Sequence, residues 1–223
     1  MKTANDLLKR AAAEAALEYL IPGAVLGVGT GSTVNHFIDL ISERQCRLEA
    51  AVSSSEATTR RLQDLGVPII EANDLMHLPL YVDGADEVDP MRCLIKGGGG
   101  ALTREKILAD LAERFICIVY EAKCVDVLGV FPLPIEVLDI ARGQITRKLE
   151  ALGAQVKLRK NYISDNGHPI LDVSGLSIHN PAELESRINQ WPGVVAVGLF
   201  AARPADMVLV AGEGGIKTLV PEH

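Results

Sequence analysis

Aromatic side chains are scarce in this sequence, with one tryptophan, four tyrosines and four phenylalanines in 223 residues. Basic residues are also outnumbered, giving a net charge of −7, and there is no arginine-rich stripe. A surface that stacks bases or neutralises a phosphate backbone needs what is missing, so nucleic acid is excluded as a partner. Cysteine is thin too: Cys46, Cys93, Cys117 and Cys124 form no C-x-x-C pair. That excludes a disulfide framework and leaves reduced thiols, as in a reducing cytosol. His36, His77, His168 and His179 are scattered without metal-ligand spacing, so no metal is expected. No run approaches the roughly 20 uncharged apolar residues of a membrane span. Glu14 and Glu18 interrupt what would be the apolar part of a secretory leader. The expectation is a cytoplasmic protein with no membrane contact.

Glycine is present in a pattern, and alternating helical and strand periodicity surrounds it. Residues 4–20 read as an alanine-rich amphipathic helix stopped by Pro22-Gly23. Strands are expected at Ala24–Val28, Ala50–Val52, Val67–Ile70, Leu80–Val82 and Phe115–Tyr120. Helices are expected at Val34–Ile41, Glu56–Leu65 and Thr103–Glu113. Such alternation predicts a parallel sheet covered on both faces, with ligands at the carboxyl ends of its strands. After Phe131-Pro132-Leu133-Pro134 the pattern changes to strand (Ile135–Leu138), helix (Ile140–Leu152), strand (Gln155–Leu158) and strand (Ile170–Val173). A helix at Ala182–Gln190, capped by Asn180-Pro181, and a strand at Val194–Phe200 complete it. This is the order of a split βαβ, ferredoxin-like unit. Ala205–Ala211 and Ile216–Val220 read as strands returning to the first sheet.

Three motifs carry chemistry. Gly27-Val28-Gly29-Thr30-Gly31-Ser32 follows a strand, but Ser32 stands where a dinucleotide fingerprint needs a third small residue. The second strand ends in Ser53-Ser54-Ser55 rather than in an acid. A nicotinamide cofactor is therefore not expected, and Thr30, Ser32 and Thr33 at a helix start suit a phosphate instead. Asp83, Asp86, Glu87 and Asp89 crowd the next loop in a spacing that fits no calcium pattern. Asp83 directly follows Leu80-Tyr81-Val82 and should sit at a buried strand tip, where a desolvated carboxylate suits proton transfer. Lys96-Gly97-Gly98-Gly99-Gly100 is not a Walker loop, because its lysine precedes the glycines. Glycine this dense costs entropy on ordering, and bare amides that can approach an oxyanion offset that cost. Glu105 falls in the first turn of the following helix, where by position alone it serves equally well as a capping carboxylate.

At these residues the sequence resembles the type A ribose-5-phosphate isomerases. The segments that carry the resemblance are GVGTGST (27–33), AVSSS (51–55), YVDGADE (81–87), LIKGGGGALTREK (94–106), FICI (115–118), FPLPIEV (131–137) and GVVAVGLF (193–200). The resemblance implies interconversion of ribose 5-phosphate and ribulose 5-phosphate through an enediolate, with no metal or cofactor. It implies an α/β fold, with a Rossmann-like catalytic domain over 1–129 and 202–223 and a ferredoxin-like lid over 130–201. It further implies a homodimer or a dimer of dimers whose partner molecule is a small sugar phosphate, in the pentose phosphate pathway. By position, Glu105 would be the base moving the proton between C1 and C2. Asp83 would open the ring or pass protons between the oxygens, and Lys96 with the glycine amides would stabilise the enediolate oxygen. Thr30, Gly31, Ser32, Thr33, Gly84, Ala85, Asp86, Gly97, Gly98, Gly99 and Lys123 would complete the substrate site. Two alternatives stay open on the residues alone: a sugar-phosphate sensor without turnover, and an acyl-CoA transferase-like enzyme with a glutamate nucleophile.

Overall fold

The computed structural model describes residues 3–221, and by their contacts these divide into two compact units. The first holds the described residues up to Gly84, then Arg104–Lys123 and those from Ala205 on; the second holds Ala85–Thr103 and Cys124–Pro204. In chain order the elements are α1 (Ala4–Ala16), β1 (Val25–Val28), α2 (Ser32–Glu43), β2 (Ala50–Ser53), α3 (Glu56–Asp64) and β3 (Leu78–Asp83). There follow β4 (Glu87–Val88), β5 (Leu94–Ile95), α4 (Leu102–Leu111), β6 (Ala112–Tyr120) and β7 (Leu133–Val137). The rest are α5 (Arg142–Glu150), β8 (Gln155–Leu158), β9 (Ile170–Ser174), α6 (Pro181–Asn189), β10 (Val194–Val197), β11 (Leu199–Phe200), β12 (Met207–Gly212) and β13 (Gly215–Leu219).

In the first unit, six strands form one sheet in the order β13-β12-β6-β3-β1-β2, parallel except for β13. Its central strands are buried and read as near-continuous apolar runs, as a sheet covered on both faces requires. Ala12, Ala13 and Ala16 of α1 pack with Phe37, Ile38 and Ile41 of α2 over Leu26, Val28, Leu80, Val82, Ile116 and Ile118. Small alanines let α1 lie close to its neighbours. Strand β1 is flanked by β2 on one side and β3 on the other, so the chain order reverses across the β1–β3 pair. At such a switch point the loops leaving neighbouring strands part and open a crevice for a ligand. Those loops are Gly29–Gly31 and the turn after Asp83.

The second unit holds a four-stranded antiparallel sheet in the order β10-β7-β9-β8. Numbered within the unit's own strand-helix-strand-strand-helix-strand run, that is 4-1-3-2, the split βαβ arrangement expected from the sequence. Ile145 and Leu149 of α5 and Ile188 of α6 pack against Leu133, Ile135, Val137, Leu171 and Val173. A small sheet, β11-β5-β4, sits in the same unit.

Several expected elements take a different form. Val67–Ile70 makes only one parallel bridge, Ala51 to Ile69, and is no strand. Val194–Phe200 is two strands, β10 and β11, which join different sheets. Gly198 separates them: a Cβ there would lie 2.4 Å from the Lys96 carbonyl oxygen and 2.9 Å from that of Pro134. Its N–H donates to Pro134 O at 2.8 Å and its carbonyl accepts from Lys96 N at 2.9 Å. The expected helix at Ile140–Leu152 opens with a tight turn at Asp139–Ala141. Asn180 precedes α6 but caps no backbone N–H; its Nδ2 donates to Glu183 Oε2 at 2.7 Å. Residues 85–103, expected with the catalytic domain, belong by contact to the second unit.

Candidate active site

In the first unit Asp83 ends β3 and is fully buried. Oδ1 accepts from the Thr30 N–H at 3.0 Å and from the Gly84 N–H at 2.7 Å, and Oδ2 accepts from the Tyr81 hydroxyl at 2.5 Å. Three donors compensate the desolvation of this carboxylate. Gly29 makes room for it, since a Cβ there would lie 1.9 Å from Asp83 Cγ. Tyr81 is itself fully buried against the Phe115 ring. Burial first, and then the negative charges of Asp83 and Glu105, push its hydroxyl well above the ordinary tyrosine range. Tyr81 therefore donates to Asp83 as a neutral phenol at any physiological pH.

The Thr30 hydroxyl turns to Ser54 Oγ at 2.9 Å and Ser55 Oγ at 2.7 Å, and Thr58 Oγ1 donates to Gly29 O at 2.8 Å. This hydroxyl cluster locks the end of β2 to the loop after β1. Thr30 was expected to offer its amide to a phosphate, but that amide is committed to Asp83. Gly31 turns the chain at φ 117°, a value that favours glycine, and α2 begins at Ser32. Gly31 and Ser32 are exposed and Thr33 is half-buried. Glu105 lies in the first turn of α4 and is only 4% exposed. Lys123 ends the turn after β6, half-buried, with Nζ 6.0 Å from the Tyr120 ring centroid.

In the second unit, Gly97–Gly100 forms a tight turn closed by the Gly100 N–H on Gly97 O at 2.8 Å. Gly97 and Gly100 have φ of 99° and 83°, so glycine is required at both ends. Asp86 Oδ2 accepts from the Gly98 N–H at 2.7 Å. Lys96 is 2% exposed, with Nζ 5.5 Å from the Phe200 ring centroid. Ala85 and Asp86 are half-buried, as is Gly84 in the first unit, whereas Gly98 and Gly99 are exposed.

The other two acids of the cluster have structural roles. Glu87 is buried and accepts from the Gly129 N–H at 2.7 Å and from the Phe131 N–H. Asp89 accepts from the Cys93 N–H at 2.8 Å. Thr103, where the helix was expected to begin, is the second residue of α4, and its hydroxyl donates to the buried Glu136. Reading the sequence missed Tyr81, the Ser54–Thr58 hydroxyls and Glu136. A serine run at a strand end was a visible signal for the hydroxyls; a lone glutamate within the apolar strand β7 was a signal for Glu136. Among the described residues, no group of three or more His, Cys, Asp or Glu is placed to hold a metal ion.

The model of the ribose 5-phosphate isomerase A (phosphoriboisomerase A) family matches residues 50–215. A ribose-5-phosphate isomerase A of Methylibium petroleiphilum is 54% identical over 215 residues, covering 96% of this chain and 98% of its own. The chain belongs to the ribose 5-phosphate isomerase A family. It is thus an isomerase of the family that interconverts ribose 5-phosphate and ribulose 5-phosphate. The solved ribose 5-phosphate isomerase A of Neisseria gonorrhoeae is 41% identical, with a TM-score of 0.95 and complete coverage of both chains. That of Methanocaldococcus jannaschii is 35% identical, with a TM-score of 0.91 over 98% of this chain and all of its own. A D-ribose-5-phosphate isomerase in complex with phospho-erythronic acid is also 35% identical, with a TM-score of 0.94 at the same coverage. These likenesses extend over the α/β architecture derived above and beyond the stretch matched by the family model.

Proposed function

We propose that the isomerisation runs through an enediolate, with Glu105 as the base, Lys96 and the glycine-run amides as the oxyanion donors, and Asp83 as the proton carrier between oxygens. In the open-chain aldose, Glu105 removes the proton from C2. The electron pair forms the C1=C2 bond, and the aldehyde oxygen becomes the anionic oxygen that Lys96 and the amides stabilise. A proton passes from O2 to O1 by way of Asp83, which also assists ring opening. Glu105 then returns its proton to C1, leaving the ketone at C2. Protons and electrons balance without a redox partner. Asp86, Gly31–Thr33, Gly84, Ala85 and Lys123 bind the sugar phosphate, and Thr30, whose amide and hydroxyl are already engaged, serves that site by holding Asp83.

The observation that carries this reading is the burial of three ionisable side chains, Asp83, Lys96 and Glu105, at 0%, 2% and 4% exposure. Buried ionisable groups are costly and are kept either for structure, as Glu87 and Glu136 are, or for chemistry; in a chain of this isomerase family the acid–base types of these three favour chemistry. A sensor needs no buried base. The aldonic acid phospho-erythronic acid, bound by a relative, carries a carboxylate that resembles an enediolate's pair of oxygens; ligands of this class are expected to bind here too. A general base contributes about 10²–10⁴-fold, so Glu105→Gln should lose about that much of kcat with KM little changed. Near-normal turnover by this variant in a ribose 5-phosphate assay would overturn the assignment. The same reading takes the enzyme as a cytoplasmic homodimer of the pentose phosphate pathway. Light scattering on the purified protein checks the dimer, and a monomer mass would refute it.

A further inference from the structure

The carbonyl side of the glycine run is held by two side chains from one short segment after β8. Arg159 Nη1 donates to Gly97 O at 3.1 Å and to Gly98 O at 3.2 Å. The Tyr162 hydroxyl donates to Gly99 O at 2.9 Å. Arg159 is held in turn by Asp172 on β9, with Nε on Oδ2 at 3.0 Å and Nη2 on Oδ1 at 2.5 Å. Its guanidinium carbon lies 5.4 Å from the Tyr162 ring centroid, so the two side chains brace each other. Three successive carbonyls are thus fixed from one side.

A trans peptide is planar, and its C=O and N–H point in opposite directions. Fixing the carbonyl of one glycine therefore aims the amide of the next. With Gly97 O on Arg159, the Gly98 N–H points to Asp86, where its 2.7 Å bond is found. The Gly100 N–H is used within the turn, on Gly97 O. Of the three amides aimed in this way the Gly99 N–H remains: Arg159 holds the Gly98 carbonyl, so this amide faces away from Arg159, whereas the Gly97 amide follows the Lys96 carbonyl and lies in a buried residue. Among the described residues nothing accepts from it, and Gly99 is exposed.

We propose that Arg159 and Tyr162 are positioning residues that tie back the carbonyls of the glycine run and so present the Gly99 amide as its oxyanion donor. This rests on the reading of the glycine run as the enediolate site. Without the clamp, four glycines would sample many backbone states, and each turnover would have to order them again. The clamp sets the donor before substrate arrives, which is how such donors are effective. Nothing local in the sequence joins residues 159 and 162 to the glycine run; the link is made by β8 and β9.

The experiment compares ribose 5-phosphate kinetics and backbone amide exchange over residues 97–100 for Arg159→Met, Arg159→Lys, Tyr162→Phe and Lys96→Met. Both Arg159 variants should lower kcat about 10–100-fold with KM within about threefold. Tyr162→Phe, which deletes one oxygen and keeps the ring, should lower kcat about 3–10-fold. Amide exchange over 97–100 should quicken in all three, while β7 keeps its protection. Recovery of wild-type kcat by Arg159→Lys would show that charge, not the guanidinium fork, is what matters, and would overturn the clamp. So would unchanged kcat in Tyr162→Phe, or a loss confined to KM. Lys96→Met separates the two layers. If it alone is impaired, the clamp fails and the oxyanion reading stands; if it turns over normally, the reading beneath the clamp fails.

Discussion

At the scale of single residues, the organising fact is a fully buried carboxylate, Asp83, that accepts from three donors. Tyr81 is the one side chain among these three; the others are backbone N–H groups. This has a consequence for pH. A tyrosine in the unfolded chain ionises near ~10, while Tyr81 in the folded chain holds its proton well above that. Below the unfolded value both states keep the proton and the group contributes no slope. Above it the unfolded state binds fewer protons, so folding stability falls as pH rises toward the folded value. Urea midpoints measured between about pH 8 and 11 should therefore decline less steeply for Tyr81→Phe than for wild type. Parallel slopes would remove Tyr81 from this account. The burial of Asp83 was legible in the sequence, since Leu80-Tyr81-Val82 leads straight to it. The Tyr81 partnership was not: residues two apart on a strand share a face, but nothing in the sequence says that a phenol bends back to the carboxylate.

At the scale of elements, β7 carries Glu136, which is 0% exposed. The carboxylate accepts from Thr103 on α4, from Ser164 Oγ at 2.6 Å and from Asn166 Nδ2 at 3.2 Å. One buried charge thus ties a strand, a helix start and a turn. Thr103→Val leaves it short of a donor and should cost about 1–3 kcal/mol, seen as a lower melting temperature. Thr103→Ser, which keeps the hydroxyl, should melt close to wild type, and equal losses in both variants would refute the account. Periodicity made the long elements legible, including the split βαβ order. It gave no sign of β4 and β5, because two-residue strands are too short to show a period. It overstated Val67–Ile70, which has strand-like residues but only one bridge, to Ala51. The division of Val194–Phe200 turns on how closely two carbonyls approach Gly198, a tertiary fact no local window contains.

For the whole molecule, two cores are built from interleaved stretches of chain. The first unit takes three stretches and the second takes two. The second core includes Ile95, and its loop at Gly129–Phe131 is held by Glu87, both far upstream of the stretch that supplies its four-stranded sheet. A fragment of residues 124–204 has every strand of that sheet but lacks both residues. It should show secondary structure by circular dichroism and yet melt without a cooperative transition. A sharp two-state melt would show that the upstream stretch is dispensable.

The places where the chain passes from one unit to the other have a further consequence, for how the family could diversify. The passages fall after Gly84, Thr103, Lys123 and Pro204. Three of them adjoin residues assigned here to substrate: Asp83 and Asp86 flank the first, Glu105 follows the second and Lys123 ends the third. Recombination that exchanged the second unit as a cassette would need breakpoints inside the reactive motifs, and a misaligned join at any of them would displace a substrate residue. Variation is free instead at exposed turns away from the junctions, such as Gly66 and Gly214, where nothing packs against the glycine. Lineages of this enzyme should therefore lengthen and shorten at those turns while the second unit descends together with the first.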